Sequence, residues 1–294
     1  MKIKDILKNG IEKLKQANIE DASLKAKILL SHILGVTKEY LIIHGENEIN
    51  DKLSNLYLEK VELLKNHEPI QYIINNQEFM GFNFFVDNNV LIPQPDTENL
   101  VEEVLAIINS LKKEFVEKNM YVLDLCTGSG AIAISLSKIL DSNRILIYGT
   151  DISENALKIA EENAMQNCSK VVFFKSDIFK NINESYKFDI IVSNPPYIET
   201  KTIEILSEEV KKEPHIALDG GEDGLYFYKE IINNAKKYLN PNGYLAFEIG
   251  YNQKSAVQEL LDKNGYKNIY SKKDLSGNDR VITVSYTHLR AHET

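Results

Sequence analysis

The sequence predicts an α/β fold: a largely parallel sheet with helices on both faces, preceded by a small helical domain. Three observations predict it. From Tyr121 onward, short β-branched and aromatic runs alternate with helix-length segments, an order that calls for parallel strands joined by crossover helices. The first of these strands, ending in Asp124-Leu-Cys126, runs directly into the glycine-rich turn Thr127-Gly-Ser-Gly130 and then a helix. Before residue 76, by contrast, apolar residues recur at helical spacing.

The helical domain is assigned to residues 1–75. Ile3, Ile6, Leu7, Ile11 and Leu14 mark one helix, and Ala22, Ala26, Leu29, Leu30 and Ile33 a second that ends near Gly35. Leu53, Leu56, Tyr57, Val61 and Leu64 supply another face. His32, His44 and His67 stand apart from one another and read as surface or packed histidines, so this domain is expected to recognise or support. Residues 76–95 change period: Phe79-Met-Gly-Phe-Asn-Phe-Phe-Val86, with Gly81 and Asp87-Asn-Asn89 as turn signals, predicts a β-hairpin linker. Pro95 followed by Asp96 and Thr97 then starts a helix expected from Leu100 to about Phe115.

Residues 96–284 form the second domain. Gly128 and Gly130 permit a tight turn and close approach of backbone to a ligand, and the helix that follows offers free N–H groups. A second strand, Ile145–Asp151, ends in an acid placed for a ribose diol; a helix from Asn155 to about Asn167 follows. A third, Val171–Phe174, leads to Ser176-Asp177-Ile178, where Asp177 can hold an adenine amino group while Ile178 packs on the ring. A fourth, Ile190–Val192, runs into Asn194-Pro-Pro-Tyr197. Two consecutive prolines remove two N–H donors and stiffen the chain. The segment therefore displays an Asn carboxamide, free carbonyls and an aromatic ring, which together suit gripping a flat –NH2 group. Beyond it, Leu218-Asp-Gly-Gly-Glu-Asp-Gly224 reads as a surface loop before a helix from Leu225 to Tyr238, with a lid over the site as the other reading. Asn240-Pro-Asn-Gly243 reads as a turn, Tyr244–Gly250 as a strand, and Ser255–Lys263 as a helix ended by Gly265. Strands near Lys267–Tyr270 and Val281–Val284 complete the domain. Gly128, Asp151, Asp177 and Asn194 all fall at strand ends, where ligands of such sheets bind; that convergence predicts a single site.

Composition narrows the function classes. A net charge of −9 argues against a long phosphate-tracking groove, so no direct nucleic-acid partner is expected. No apolar run reaches the ~18 residues of a membrane span, the amino terminus lacks a signal-like apolar core, and Cys126 and Cys168 are the only cysteines. A cytoplasmic monomer without a disulfide framework or metal site is expected. Residues 285–294 hold two of the six histidines and one of three arginines; they read as a non-native tail and are set aside.

The chain resembles the release factor glutamine methyltransferases, the PrmC/HemK family. The resemblance rests on Glu68-Pro-Ile-Gln-Tyr72, Leu91-Ile-Pro-Gln-Pro-Asp-Thr-Glu98, Asp124-Leu-Cys-Thr-Gly-Ser-Gly-Ala-Ile-Ala133, Asn194-Pro-Pro-Tyr-Ile198 and Asn278-Asp-Arg280. Gln94 stands where the family usually has Arg, and Cys126 where it usually has Gly. The resemblance implies a Rossmann-like S-adenosylmethionine-dependent methyltransferase domain that methylates the glutamine side-chain amide in the Gly-Gly-Gln motif of peptide chain release factors. On that reading Cys126, Thr127, Gly128, Ser129, Gly130, Asp151, Asp177, Ile178 and Asn194 hold the cofactor. Asn194 and Pro195 accept the two amide hydrogens, Tyr197 stacks on the amide plane, and Pro196 helps shape the substrate pocket. Ribosomal-protein glutamine and nucleic-acid adenine-N6 are the alternative targets. The turn Gly128-Ser-Gly130 with Asp151 also fits a dinucleotide fingerprint, which leaves a nicotinamide-dependent oxidoreductase or a non-catalytic binding module as further readings; both leave Asn194-Pro-Pro-Tyr197 without a task.

Overall fold

The computed structural model describes residues 1–111 and 118–286. They divide into two compact units, Met1–Asn76 with Ser207–Lys212, and Gln77–Leu206 with the chain from Glu213 onward.

The first unit is helical: α1 (Ile3–Gln16), α2 (Ala22–Leu34), α3 (Lys38–Ile43), α4 (Asp51–Lys65) and α5 (Ile70–Ile74). Side chains set the helix ends. Thr37 and Asn50 accept the backbone N–H groups of Tyr40 and Leu53, at 3.3 and 2.9 Å, and Gly35 closes α2 at φ 66°. Ile6, Leu14, Leu30 and Tyr57 are fully buried between the helices, and an ion pair from Lys25 to Glu209 ties in the Ser207–Lys212 segment. Gly10 lies inside α1, where alanine normally stabilises a helix by ~1 kcal/mol. Here a Cβ would sit 2.1 Å from the Tyr57 hydroxyl and 2.7 Å from its ring carbon. Packing therefore outweighs propensity: Gly10→Ala should destabilise the protein by about 1–3 kcal/mol, read as a lower denaturation midpoint in urea, and a gain in stability would refute this.

The second unit opens with β1 (Gln77–Phe79) and β2 (Phe82–Phe84), an antiparallel pair closed by Met80 and Gly81 at φ 53° and 78°, the positive-φ geometry of a two-residue hairpin turn. Phe79 and Phe84 meet edge to face, with centroids 6.1 Å apart, and are buried against Leu100 and Val101. The hairpin thus belongs to the core of this unit. A short 3₁₀ turn, Pro95–Thr97, leads into α6 (Glu98–Leu111); the rest of the helix expected to reach Phe115 lies outside the described residues.

The sheet then builds in order: β3 (Met120–Leu125), α7 (Ala131–Leu140), β4 (Ile145–Asp151), α8 (Glu154–Gln166), β5 (Val171–Lys175), β6 (Phe188–Ser193), α9 (Thr200–Ile203), α10 (His215–Leu218), α11 (Tyr226–Ala235), β7 (Leu239–Glu248), α12 (Lys254–Lys263), β8 (Lys267–Lys273) and β9 (Asp279–Ser285). The strand order is β5-β4-β3-β6-β7-β9-β8. The first five are parallel, and β9 runs antiparallel to both β7 and β8. Alternation along each strand splits the core in two. Val122, Ile190, Ala246 and Val281 face α6 and α7, whereas Leu123, Ile191, Phe247 and Ile282 face α11 and α12.

Three expectations are corrected. Asn240-Pro-Asn-Gly243 is an excursion within β7: pairing to β6 jumps from Leu239 to Tyr244, and Asn240 Nδ2 donates to Asp189 Oδ1 at 2.7 Å. Ser285 and Tyr286, which composition groups with the tail, belong to the sheet, since the Tyr286 N–H donates to the Gly243 carbonyl at 2.7 Å; residues 287–294 lie outside the described residues. The Leu218–Gly224 loop is also no free surface loop, because Ile198 and Asp219 form a parallel bridge and the Gly220 N–H donates to the Ile198 carbonyl at 2.8 Å. No helix among the described residues is long and apolar enough to cross a membrane.

Candidate active site

A cavity of about 280 Å³ opens at the carboxyl ends of β3, β4, β5 and β6. Its wall includes Cys126, Gly128, Asp151, Asp177, Ile178, Asn194 and Pro196, so one residue or more from each of the four strand ends meets there. Thr127, Ser129, Gly130, Pro195 and Tyr197 are not among the residues that line it.

The glycine-rich turn is wound tightly, with φ of 59°, 54° and 81° at Cys126, Gly128 and Gly130. Cys126 carries a side chain where glycine would be free of strain. At Gly130 glycine is required, since a Cβ would come within 2.8 Å of Ile134 Cδ1 and 3.2 Å of the Ala160 Cβ. Beneath the turn Asp124 is fully buried, and its Oδ2 accepts the Thr127 hydroxyl at 2.6 Å. Asp151 accepts the Gly128 N–H through Oδ2 and the Ser153 N–H through Oδ1, both at 2.9 Å, so it couples the turn to the start of α8 while still facing the cavity. Ser176, Asp177 and Ile178 form a turn closed by the Ser176 hydroxyl donating to the Ile178 carbonyl at 2.7 Å, and Asp177 pairs with Lys180 at 2.6 Å.

Burial raises the Cys126 thiol pKa, and the nearby Asp151 and Asp124 raise it further. A thiolate is the reactive form, so Cys126 should be inert. One thiol per folded chain is expected to react with a disulfide reagent at neutral pH: the exposed Cys168. Rapid labelling of a Cys168→Ser variant would contradict this.

Asn194 sits at the end of β6, its Nδ2 donating to the Thr97 hydroxyl at 3.2 Å. That contact turns the side-chain oxygen away from Thr97. Tyr197, expected to stack on the substrate amide, is absent from the cavity wall and packs against the core cluster that holds Tyr228 and Phe247. Its hydroxyl donates to Glu248 Oε1 at 3.2 Å, and its carbonyl accepts Gln253 Nε2 at 2.9 Å. The physical reason is that a phenol turned inward needs a partner for its hydroxyl, and Glu248, at the end of β7, supplies one. Arg280 lies beside this group and pairs with Asp96 at 3.0 Å and Asp274 at 3.2 Å. Two segments that carry the family resemblance, around Asp96 and around Arg280, are thereby joined. Gln94 is exposed and donates to the Ile92 carbonyl at 3.0 Å.

Three buried carboxyls hold protons unusually well. Burial pushes Asp124, Glu213 and Glu248 up to about 7, against hydrogen bonds that favour the charged form. In the unfolded chain such groups titrate near ~4. Their contribution to stability is thus full below that value and is lost as pH rises through the folded pKa. The melting temperature should accordingly fall between about pH 4 and pH 7 and level off above that; a rise over that interval would count against it.

Several residues of the site were not expected from sequence. Asn89, Val90 and Leu91 come from the segment after the hairpin, Ile216 and Ala217 from α10, and Tyr226 and Phe227 from the start of α11. Thr97 meets Asn194, and Glu248 meets Tyr197. Glu248 had a signal: it is the acid at the end of a fifth strand, as Asp151 and Asp177 stand after the second and third.

The sequence and fold can be set beside known proteins. Residues 5–74 match the family model described as PrmC N-terminal domain, and residues 116–285 the model described as Methyltransferase domain. A "Release factor glutamine methyltransferase" of Clostridium botulinum is 40% identical, covering 96% of this chain and 98% of the relative; one of Clostridium acetobutylicum is 41% identical with the same coverage. Among solved structures, a methyltransferase from Pyrococcus furiosus superposes with a TM-score of 0.52 at 22% identity, over 78% of this chain and 98% of the other; at that identity the likeness shows the fold alone. Near-full-length identity of this size, together with both family models, decides the assignment: the chain belongs to the release factor glutamine methyltransferases.

Proposed function

We propose that the protein transfers the methyl group of S-adenosylmethionine to the side-chain amide nitrogen of the glutamine in the Gly-Gly-Gln motif of peptide chain release factors. The observation that carries this is the orientation of Asn194, whose –NH2 is taken by Thr97 so that its oxygen is left to accept from a substrate –NH2. Such an arrangement selects a planar nitrogen donor.

The cavity fits the cofactor. Gly128 adds no side chain at its wall, and a Cβ built there would meet nothing within 4 Å; Asp151 and Asp177 offer carboxylates, and Ile178, Ala217 and Phe227 offer apolar surface. Bound there, S-adenosylmethionine would supply a methyl carbon already activated by its sulfonium. The backbone from Cys126 to Gly130 would border its methionine end, Asp151 its ribose, and Asp177 with Ile178 its adenine.

The amide nitrogen is the harder partner, because its lone pair is delocalised into the carbonyl. Asn194 Oδ1 and the Pro195 carbonyl accept its two hydrogens and aim the nitrogen along the line of attack. Pro196 fixes the wall beside it, and Tyr197, anchored on Glu248, keeps the segment rigid. Orientation of this kind can account for ~7–11 kcal/mol of a barrier in favourable cases. The amide proton leaves to solvent after the methyl transfer, so no general base is required. A monomer in the cytoplasm is the form inferred for the enzyme, and two free cysteines suit that reducing compartment.

The test is transfer of labelled methyl from S-adenosylmethionine to a purified release factor, beside the same factor with its Gly-Gly-Gln glutamine changed to alanine. Label on the first alone supports the assignment. Label on neither, or on both, overturns it and directs attention to ribosomal proteins and adenine-containing nucleic acid.

A further inference from the structure

We propose that Gln253 is a positioning residue for methyl transfer: its side-chain –NH2 ties the segment that carries Asn194 and Pro195 to the turn from which Tyr226 and Phe227 enter the cavity wall. The inference rests on the role given to Asn194 and Pro195 above and adds what keeps them in register with the cofactor wall. Pro195 and Pro196 have no N–H, so neither can be held by donating to a neighbour. Such a segment has to be tied through its carbonyls, by donors from elsewhere in the chain. Gln253 supplies one: Nε2 donates to the Tyr197 carbonyl at 2.9 Å and to the Gly224 carbonyl at 3.1 Å. Gly224 ends its loop just before Leu225, and Tyr226 and Phe227, which open α11, line the cavity together with Asn194 and Pro196. One –NH2 group thus joins the stretch that offers acceptors to the substrate to the stretch that would border the cofactor.

The partners of this carboxamide settle which way round it sits. Oε1 accepts the Gly250 N–H at 2.9 Å, a group that can only donate, while the two groups facing Nε2 are carbonyls, which can only accept. Both hydrogens of the –NH2 are therefore used. Gln253 is 8% exposed, so water is a poor substitute for it at either carbonyl. Its backbone is fixed as well: the N–H donates to the Gly250 carbonyl and the carbonyl accepts the Val257 N–H, both at 2.9 Å. This places it at the start of α12, whose Val257 and Leu261 are fully buried. The seat is close on both sides. A Cβ on Gly224 would come within 2.7 Å of Nε2, and one on Gly250 within 2.8 Å of Oε1. A side chain locked in this way on a packed helix is the kind of support that holds a reacting geometry.

The measurement is single-turnover methyl transfer to a purified release factor from enzyme loaded with S-adenosylmethionine, together with the cofactor Kd and the number of cofactor sites per chain. The variants are Gln253→Met, which keeps length and bulk without the –NH2, Gln253→Ala, Asn194→Ala and the Gln253→Met/Asn194→Ala double variant. Both Gln253 variants are expected to keep the cofactor sites and a Kd near wild type, and to transfer methyl about 10–10²-fold more slowly, the scale of a displacement approaching 1 Å. In the Asn194→Ala background Gln253→Met should cost less than it does alone, because residues that act together do not add. A merely structural role would lower the number of cofactor sites and leave the rate per site unchanged. A wild-type rate in Gln253→Met, a loss of sites as large as the loss of rate, or an equal cost with and without Asn194 would each overturn the inference. Full activity in Asn194→Ala, or no transfer by the wild-type enzyme, would instead fell the reading on which it rests.

Discussion

Asn194→Ala should lower kcat by about 10²–10³-fold, the range seen when one preorganised hydrogen-bonding group is removed from a reaction site, with KM for S-adenosylmethionine moving much less. The asymmetry follows from what Asn194 touches. The cavity wall has contributions from four strand ends and from α10 and α11, so the cofactor would lose one contact among many. The substrate amide would lose one of only two acceptors, the other being the Pro195 carbonyl. Single-turnover methyl transfer separates the two effects, and a variant with normal kcat but greatly raised KM for the cofactor would show that Asn194 serves the cofactor rather than the amide.

Gly220→Ala should be nearly as damaging, although Gly220 is not on the cavity wall. A Cβ at that position would stand 2.7 Å from the Tyr197 Cα, 2.8 Å from its carbonyl carbon and 2.9 Å from the Pro196 carbonyl oxygen. These are backbone atoms, which do not swing aside as a side-chain tip does. The clash must therefore move the segment that carries Asn194 and Pro195. A displacement near 1 Å can cost about 10²-fold in rate, so kcat should drop by about that factor while the protein still melts cooperatively. Retained activity would mean that the loop, rather than the Pro196–Tyr197 backbone, gives way. Gly224 backs the same segment, since a Cβ there would meet the Tyr197 carbonyl oxygen at 2.5 Å.

The sequence revealed what depends on residue type at a strand end. Gly128, Asp151, Asp177 and Asn194 are conspicuous because acids, glycines and a carboxamide interrupt apolar runs exactly where those runs stop; the structure brings these four to one cavity. It revealed less where function depends on approach between distant segments. Glycines and acids in Leu218–Gly224 read as a solvated loop, yet two of the glycines are there because the Tyr197 backbone lies against them. Thr97 reads as part of a helix start, and its contact with Asn194 crosses 97 positions of chain. Tyr197 reads as a stacking ring, but its hydroxyl has the decisive partner in Glu248. The Asn240–Gly243 excursion was legible as a turn, though not as an interruption inside a strand, because only the pairing of β7 with β6 shows that the strand resumes in the same line.

The position of β9 bears on how the protein comes into being on the ribosome. This strand is the last of the sheet to be synthesised, yet it lies between β7 and β8 in space. Until it emerges, β8 has no neighbour and β7 presents a bare edge, an aggregation-prone condition for a nascent chain. Arg280, which joins Asp96 to Asp274 beside Glu248, arrives on the same strand. Closure of the sheet and completion of the Asp96–Arg280–Asp274 network are thus a single late event, and a chain halted before Asp279 would lack both.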